Sequence, residues 1–233
     1  MRYSDSFFHS KVYQEFKEIG LHEYRSIVQF YEDSENDIKQ LDFDEYFELF
    51  LAYGDALFEM GAYQNHLEIA DQAIETTIEH NIKFYQGQDV YFELLFKKAA
   101  SHYNLLEYKK AEHILKELIK MDTTNQVTIR FLKKCVRQDK PSFLKKTRAF
   151  SVLCFLLTAL VISIELIVVR PLFEEHATTI EMLRNFIFVL GWFILLTGDL
   201  FHRFKVNQKI NAFVKQINQE KENNKREDCR MLV

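Results

Sequence analysis

The longest apolar run in the chain covers residues 150–169, FSVLCFLLTALVISIELIVV, and a single charge, Glu165, interrupts it. A helix of twenty residues is about 30 Å long, which matches the hydrocarbon core of a bilayer. Helices of soluble domains normally keep a polar face, and this run has none. The pattern therefore predicts a membrane-spanning helix.

A second apolar run covers residues 183–204, LRNFIFVLGWFILLTGDLFHRF. Its uninterrupted part is shorter, from 186 to 198, but charged residues at both ends can extend toward the membrane interfaces. A short polar loop joins the two runs, so we expect an antiparallel transmembrane hairpin over residues 150–204.

Residues 1–140 repeat an amphipathic period of about 3.6 residues and contain few glycines or prolines, which predicts an all-α domain. The predicted helices cover residues 7–19, 22–33, 43–60, 63–81, 88–105, 108–121 and 125–138. Residues 141–149 form a basic linker before the hairpin. The tail, residues 205–233, should begin as an amphipathic helix and become disordered after Asn218.

Two segments of this helical domain resemble tetratricopeptide repeats. The first, AYGDALFEMGAYQNHLEIADQAI, has the family's small, large, turn and aromatic positions at Gly54, Leu57, Gly61, Tyr63 and Ala73. The second, KKAASHYNLLEYKKAEHILKELI, has Ala99, Leu106, Tyr108, Ala111 and Leu115. A third, poorer copy is centred on Tyr24.

The resemblance departs from the family in its spacing and in two side chains. The three tyrosines are 39 and 45 residues apart, whereas the family repeats about every 34 residues. His66 replaces a small residue and His102 replaces a large apolar one. The resemblance implies a cytosolic stack of antiparallel helical hairpins, an architecture that usually binds other proteins.

Charge is distributed unevenly along the chain. Residues 1–100 carry 8 Lys/Arg against 20 Asp/Glu, whereas residues 101–148 carry 12 against 5. A basic segment directly before a spanning helix is typical of the cytosolic membrane edge. The charges expected at that interface are Lys145, Lys146, Arg148, Asp199 and Arg203. Both termini should therefore be cytosolic, and nucleic acid is the weaker explanation of the basic segment because no binding motif accompanies it.

Two charged residues fall at matching depth in the predicted hairpin. Glu165 lies near the outer end of the first helix, and Arg184 enters the second helix at the same level. An ion pair would offset much of the cost of each charge in the bilayer. Alternatively, these groups line an oligomeric pore or a proton path. Small residues that would allow close helix contact are Ala159, Ser163, Gly191 and Gly198.

The sequence offers no recognisable catalytic chemistry. The 8 histidines and 3 cysteines lack metal-ligand spacing, and there is no glycine-rich phosphate loop. We therefore expect no cofactor, no metal and no enzymatic activity. The sequence favours a membrane-anchored adaptor or scaffold that binds a basic protein partner. The alternative is a channel or membrane-permeabilising effector that oligomerises through its membrane helices.

Overall fold

The computed structural model describes residues 10–20, 22–85, 87–139, 142–169 and 177–231, and within them the chain is almost entirely helical. The all-α prediction is confirmed. The helices are α1 (Lys11–Glu18), α2 (Tyr24–Asp33), α3 (Glu35–Ile38), α4 (Phe43–Glu59), α5 (Tyr63–Glu79), α6 (Val90–Asn104), α7 (Tyr108–Met121), α8 (Gln126–Gln138), α9 (Ser142–Ile164) and α10 (Ala177–Met231). A π-helical turn, Glu165–Val169, extends α9. Strands β1 (Phe84–Tyr85) and β2 (Gln88–Asp89) form a small antiparallel hairpin.

The chain divides into two compact units, Met1–Asp122 and Thr123–Val233. The division precedes α8, whereas the sequence placed the boundary at residue 140. The physical reason is that α8 packs along α10, where the Arg137 guanidinium donates a hydrogen bond of 2.8 Å to Asn207 Oδ1. Buried apolar side chains lie on both helices, including Leu132 on α8 and Ile210 on α10.

Contacts in the first unit fix the directions of its central helices. The ring of Phe58, near the end of α4, lies 5.8 Å from that of Tyr63 at the start of α5. A Cβ on Gly54, one turn earlier in α4, would lie 3.2 Å from Ile69, further along α5. Residue numbers rise on one helix as they fall on the other, so α4 and α5 are antiparallel.

The same reasoning applies to α5 and α6. His66 Nδ1 lies 2.8 Å from Ser101 Oγ, and Asp71 pairs with Lys98. These helices are therefore antiparallel as well, which makes α4 and α6 parallel neighbours on either side of α5.

The apolar core of the first unit is rich in aromatic rings. Its buried members are Tyr13, Tyr31, Ile38, Phe47, Leu49, Phe50, Tyr53, Leu57, Ala73, Val90 and Leu94. Tyr31 and Tyr53 stack with ring centroids 4.2 Å apart. Such offset aromatic contacts add to the stabilisation from burial alone. The short helix α3, which the sequence analysis did not predict, contributes the fully buried Ile38.

The β-hairpin was also not predicted, because two residues per strand are too few to show an alternating pattern. Gly87 adopts a φ of 82° in its turn, and the Tyr85 ring packs edge-on against Phe47 at 5.8 Å. Asp89 then caps α6 by accepting a hydrogen bond of 2.9 Å from the Phe92 amide. The hairpin therefore fixes the start of α6.

The residues predicted to pack the repeats are placed as follows. Gly54, Ala73, Ala99 and Ala111 are buried at contacts between helices. Tyr63 and Tyr108 are half-buried. Each ring lies edge-on to an aromatic ring of the preceding helix, Phe58 at 5.8 Å and Tyr103 at 5.4 Å.

Helices α4 and α6 end in the same left-handed turn. Gly61 has a φ of 79°, and the next amide, that of Ala62, donates to the Leu57 carbonyl at 2.9 Å. In α6, Leu106 has a φ of 64°, and the Glu107 amide donates to the His102 carbonyl at 2.9 Å. Glycine adopts this conformation freely, whereas a leucine is strained in it.

The second unit contains two helices that are long and apolar enough to span a membrane, one over Lys146–Ile167 and one within Thr179–Glu227. They pack against each other, and the loop predicted to join them lies mostly outside the described residues. The tail prediction was wrong, because α10 continues to Met231 instead of becoming disordered after Asn218. A helix of this length measures about 80 Å.

Replacing Leu106 with glycine should stabilise the first unit by about 0.5–1 kcal/mol, because the strain of the left-handed backbone disappears. Little packing is lost, since the Leu106 side chain is 70% exposed. Gly61→Ala should destabilise the unit by about 1 kcal/mol for the same reason. Urea unfolding of residues 1–122, which contain the whole aromatic core, would measure both. Met60→Gly is the control, because Met60 has an ordinary φ of −73°. A lower unfolding midpoint for Leu106→Gly would contradict this account.

The stability of the first unit should fall as the pH is lowered from 6.5 to 4. Burial lowers the pKa of His66 to about 4, outweighing the opposing effect of Asp55, and nearby Lys97 lowers it further. The folded protein keeps this imidazole neutral while the unfolded chain takes up a proton below pH 6.5, so the stabilisation present above that pH is lost on acidification. The loss is on the order of 3 kcal/mol. Urea unfolding at several pH values should show a smaller pH dependence for His66→Gln, but not for the exposed control His113→Gln.

Candidate functional site

A cleft of about 460 Å³ opens in the first unit between α4, α6 and the α1–α2 segment. Its apolar lining includes Phe16, Ile27, Leu51, Ala52, Val90 and Leu94. Its charged lining consists of Lys17, Glu48, Asp55, Glu59, Glu93 and Lys97. A volume of this size is typical of a site for a small ligand or a short peptide segment.

The helical period places the acidic residues on one face of α4. Glu48, Asp55 and Glu59 are separated by two turns and one turn, so their side chains point toward the same side. Glu93 and Lys97 are one turn apart on α6 and face the cleft in the same way. Because α4 and α6 are parallel, their charged residues face each other across the apolar floor of the cleft, which is formed by Leu51, Ala52 and Leu94.

Lysines neutralise two of the four carboxylates. Lys17 hydrogen-bonds to Glu48, and the Tyr13 hydroxyl donates to the same carboxylate at 2.7 Å. Burial alone would raise the pKa of Glu48, but the hydrogen bonds from Lys17 and Tyr13 outweigh it and leave the pKa below its usual value. Across the cleft, Lys97 Nζ lies 2.6 Å from Asp55 Oδ1.

The other two carboxylates remain uncompensated. Among the residues that the structure describes, neither Glu59 nor Glu93 has an ion-pair or hydrogen-bond partner for its side chain. The lining therefore presents two carboxylates that are available to a cation beside apolar surface. The sequence analysis noted the acidic character of residues 1–100 but did not predict this cleft, because it depends on which helices become neighbours.

In the second unit, small and polar side chains form the contact face between α9 and α10. Beyond Arg148, the buried positions on α9 and its π-helical extension are Ser151, Cys154, Thr158 and Glu165, spaced three, four and seven residues apart. On α10, Gly191 and Gly198 are buried. The outer surfaces carry large apolar side chains, including Leu156, Leu160, Phe186, Val189, Phe193 and Leu196. This distribution is the reverse of that in a water-soluble helical hairpin.

The two helices approach closely at Gly191. A Cβ there would lie 3.1 Å from the Phe155 ring and 3.2 Å from Cys154 Cβ. The Ser151 hydroxyl donates a hydrogen bond of 3.0 Å to the Gly191 carbonyl. Ala159 and Ser163 are exposed on α9, so they do not take part in the contact with α10.

An ion pair lies at each end of this contact face. The structure brings Glu165 and Arg184 together, with Arg184 Nη1 2.7 Å from Glu165 Oε2 and only 1% of Glu165 exposed. At the other end, Arg148 Nη2 donates to both oxygens of Asp199, at 2.9 and 3.2 Å.

The remaining predicted interface charges are less constrained. Lys146 and Arg203 are exposed. The side chain of Lys145 lies outside the described part of the structure. Within that part, no cluster of three or more His, Cys, Asp or Glu side chains could hold a metal ion.

Glu165→Gln should destabilise the α9–α10 pair by about 1–3 kcal/mol, because it removes the charge that compensates the partly buried Arg184. The double change Glu165→Gln, Arg184→Leu should recover most of this loss, since a complete pair is replaced by uncharged groups. Thermal unfolding in detergent would measure both variants. Asp199→Asn is the matched control and should cost less, because the Arg148–Asp199 pair is more exposed. Unchanged stability, together with altered ion flux in vesicles, would instead favour a conduction path.

Comparison with known proteins leaves the function to be inferred from these two sites. No protein-family model matches the chain, and neither a curated protein nor a solved structure shows significant similarity to it.

Proposed function

We propose that this protein is a membrane-anchored helical adaptor that binds a basic segment of a partner protein in the cleft of its first unit. The second unit supplies the anchor, and the termini lie on the cytosolic side. The observation that carries the proposal is the presence of two uncompensated carboxylates, Glu59 and Glu93, on an apolar cleft.

The anchoring part of the proposal is supported by the reversed distribution of side chains in α9 and α10. In a bilayer, lipid tails solvate large apolar side chains, and association of helices depends on close packing and hydrogen bonds. The Ser151–Gly191 hydrogen bond and the buried Glu165–Arg184 pair satisfy polar groups inside the contact face. The large apolar side chains point outward, where water would be unfavourable and lipid favourable.

The cytosolic orientation is supported by charge. Exposed basic residues lie where the helices leave the apolar layer at its Arg148–Asp199 end. These residues are Lys146, Arg203, Lys205 and Lys209. Basic residues are enriched on the cytosolic flanks of spanning helices, which supports a cytosolic location for this end.

The binding part of the proposal is supported by the helical architecture as well as by the cleft. Pairs of helices joined by short turns expose one face of each alternate helix, and α4 and α6 together line such a surface. Their resemblance to tetratricopeptide repeats adds weight, because stacks of this kind usually bind protein segments. The excess of acid over base in the cleft favours a cationic partner.

The protein should remain in the membrane fraction after alkaline carbonate washing. A photoreactive amino acid in place of Leu51, on the cleft floor, should capture a partner protein in intact cells. The same group in place of Glu68, which is exposed on α5 and outside the cleft, should not. Filling the cleft with Ala52→Trp should abolish capture from position 51. Release by carbonate would contradict the anchor, and equal capture from both positions would contradict the cleft.

A further inference from the structure

Along the helix axes, Glu59 and Glu93 lie on opposite sides of the ion pair between Lys97 and Asp55. Lys97 and Asp55 join α6 to α4 at 2.6 Å, so these two residues lie at similar levels along the parallel helices. Glu59 lies one turn beyond Asp55 on α4, and Glu93 lies one turn before Lys97 on α6. At a rise of 1.5 Å per residue, Glu59 and Glu93 are therefore about 12 Å apart along the helix axes, and their positions on different helices add a lateral offset.

We propose that the cleft recognises an extended peptide segment whose two basic side chains are four residues apart, one pairing with Glu59 and the other with Glu93. This inference rests on the proposed function and specifies the chemistry of the bound segment. The residues between the two basic positions would lie over the apolar floor at Leu51, Ala52 and Leu94.

The spacing favours an extended segment over a helical one. An extended chain advances about 3.3 Å per residue, so positions i and i+4 are about 13 Å apart and point to the same side. The same two positions in an α-helix are only about 6 Å apart. Adjacent basic residues in an extended chain point to opposite sides, so they cannot both face the cleft.

The central ion pair adds a second selective feature. Lys97, which is 28% exposed, lies between the two carboxylates along the helix axes and is neutralised by Asp55, which is 50% exposed. In an extended segment, position i+2 points to the same side as i and i+4 and therefore faces this ion pair. A basic residue at i+2 would find no uncompensated carboxylate there, so the pattern calls for basic residues only at i and i+4.

Fluorescence anisotropy with the full-length protein in lipid nanodiscs tests the spacing. The probes are labelled nine-residue peptides in a Ser/Thr/Val background, with two lysines at positions 3 and 7 or at positions 3 and 4. The two peptides have the same composition and net charge. We expect the 3/7 peptide to bind about fivefold more tightly than the 3/4 peptide at low salt, with the difference shrinking as salt increases. A third lysine at position 5, which faces the Lys97–Asp55 pair, should not strengthen binding of the 3/7 peptide.

Single variants locate the two contacts. Glu59→Gln and Glu93→Gln should each weaken binding of the 3/7 peptide about three- to fivefold, in line with one exposed ion pair. The combined variant should bind the 3/7 and 3/4 peptides equally. The matched control is Glu68→Gln with Glu75→Gln, because both residues are exposed on α5 and outside the cleft. This control should leave binding unchanged.

The outcomes separate this inference from the function on which it rests. Equal binding of the 3/7 and 3/4 peptides, with loss of binding in Ala52→Trp, would overturn the two-charge pattern and leave the adaptor role intact. The same conclusion follows if neither peptide binds while position 51 still captures a partner. If neither peptide binds and position 51 captures nothing, both the pattern and the adaptor role are wrong.

Discussion

The close approach of α9 and α10 determines how side chains are used throughout the second unit. Where the backbones approach at Gly191, the buried contact positions on α9 are the small side chains of Ser151, Cys154 and Thr158, and the larger Phe155 is only half-buried beside them. The large apolar side chains are left on the outside, where only an apolar solvent stabilises them. Because Glu165 is buried at one end of the contact face, its charge needs a partner, which Arg184 supplies. The small contact residues, the apolar exterior and the paired charges are therefore consequences of one packing constraint.

The same helix explains why α8 belongs to the second unit. Beyond its apolar part, α10 continues with buried Val206, Ile210 and Ile217, which are spaced four and seven residues apart and therefore lie on one face. Helix α8 covers this stripe, and the Arg137–Asn207 hydrogen bond fixes their register. Residues 218–227 of α10 are exposed and have no such stripe, so their helical state depends on local interactions such as Gln216–Glu220.

Much of the helical framework was predictable from the period of apolar residues. A helix that buries one face has apolar residues every three to four positions, and this spacing is visible in the sequence. The bounds of α4, α5, α7 and α8 agree with the predicted ones within about two residues. Helix α3 and the β-hairpin were not predicted, because each contains too few residues to show a periodic pattern of apolar positions. The left-handed turn at Leu106 was also unpredictable, since a leucine at that position gives no local signal. The cleft could not be predicted because it depends on which helices become neighbours, and the facing residues Asp55 and Lys97 are 42 residues apart in sequence.

The ion pairs of the cleft determine which of its carboxylates remain unpaired, but they contribute little to the stability of the fold. Lys97 and Asp55 are 28% and 50% exposed, and surface pairs of this kind contribute at most about 1 kcal/mol. The positions of α4 and α6 are instead set by apolar packing around α5, where Ala70 and Ala73 are buried. Since packing fixes the helices, the lysines are free to neutralise two carboxylates while Glu59 and Glu93 stay unpaired. A cleft with four unpaired carboxylates would attract any cation, whereas two separated ones with a neutral ion pair between them favour two cations at a matching spacing.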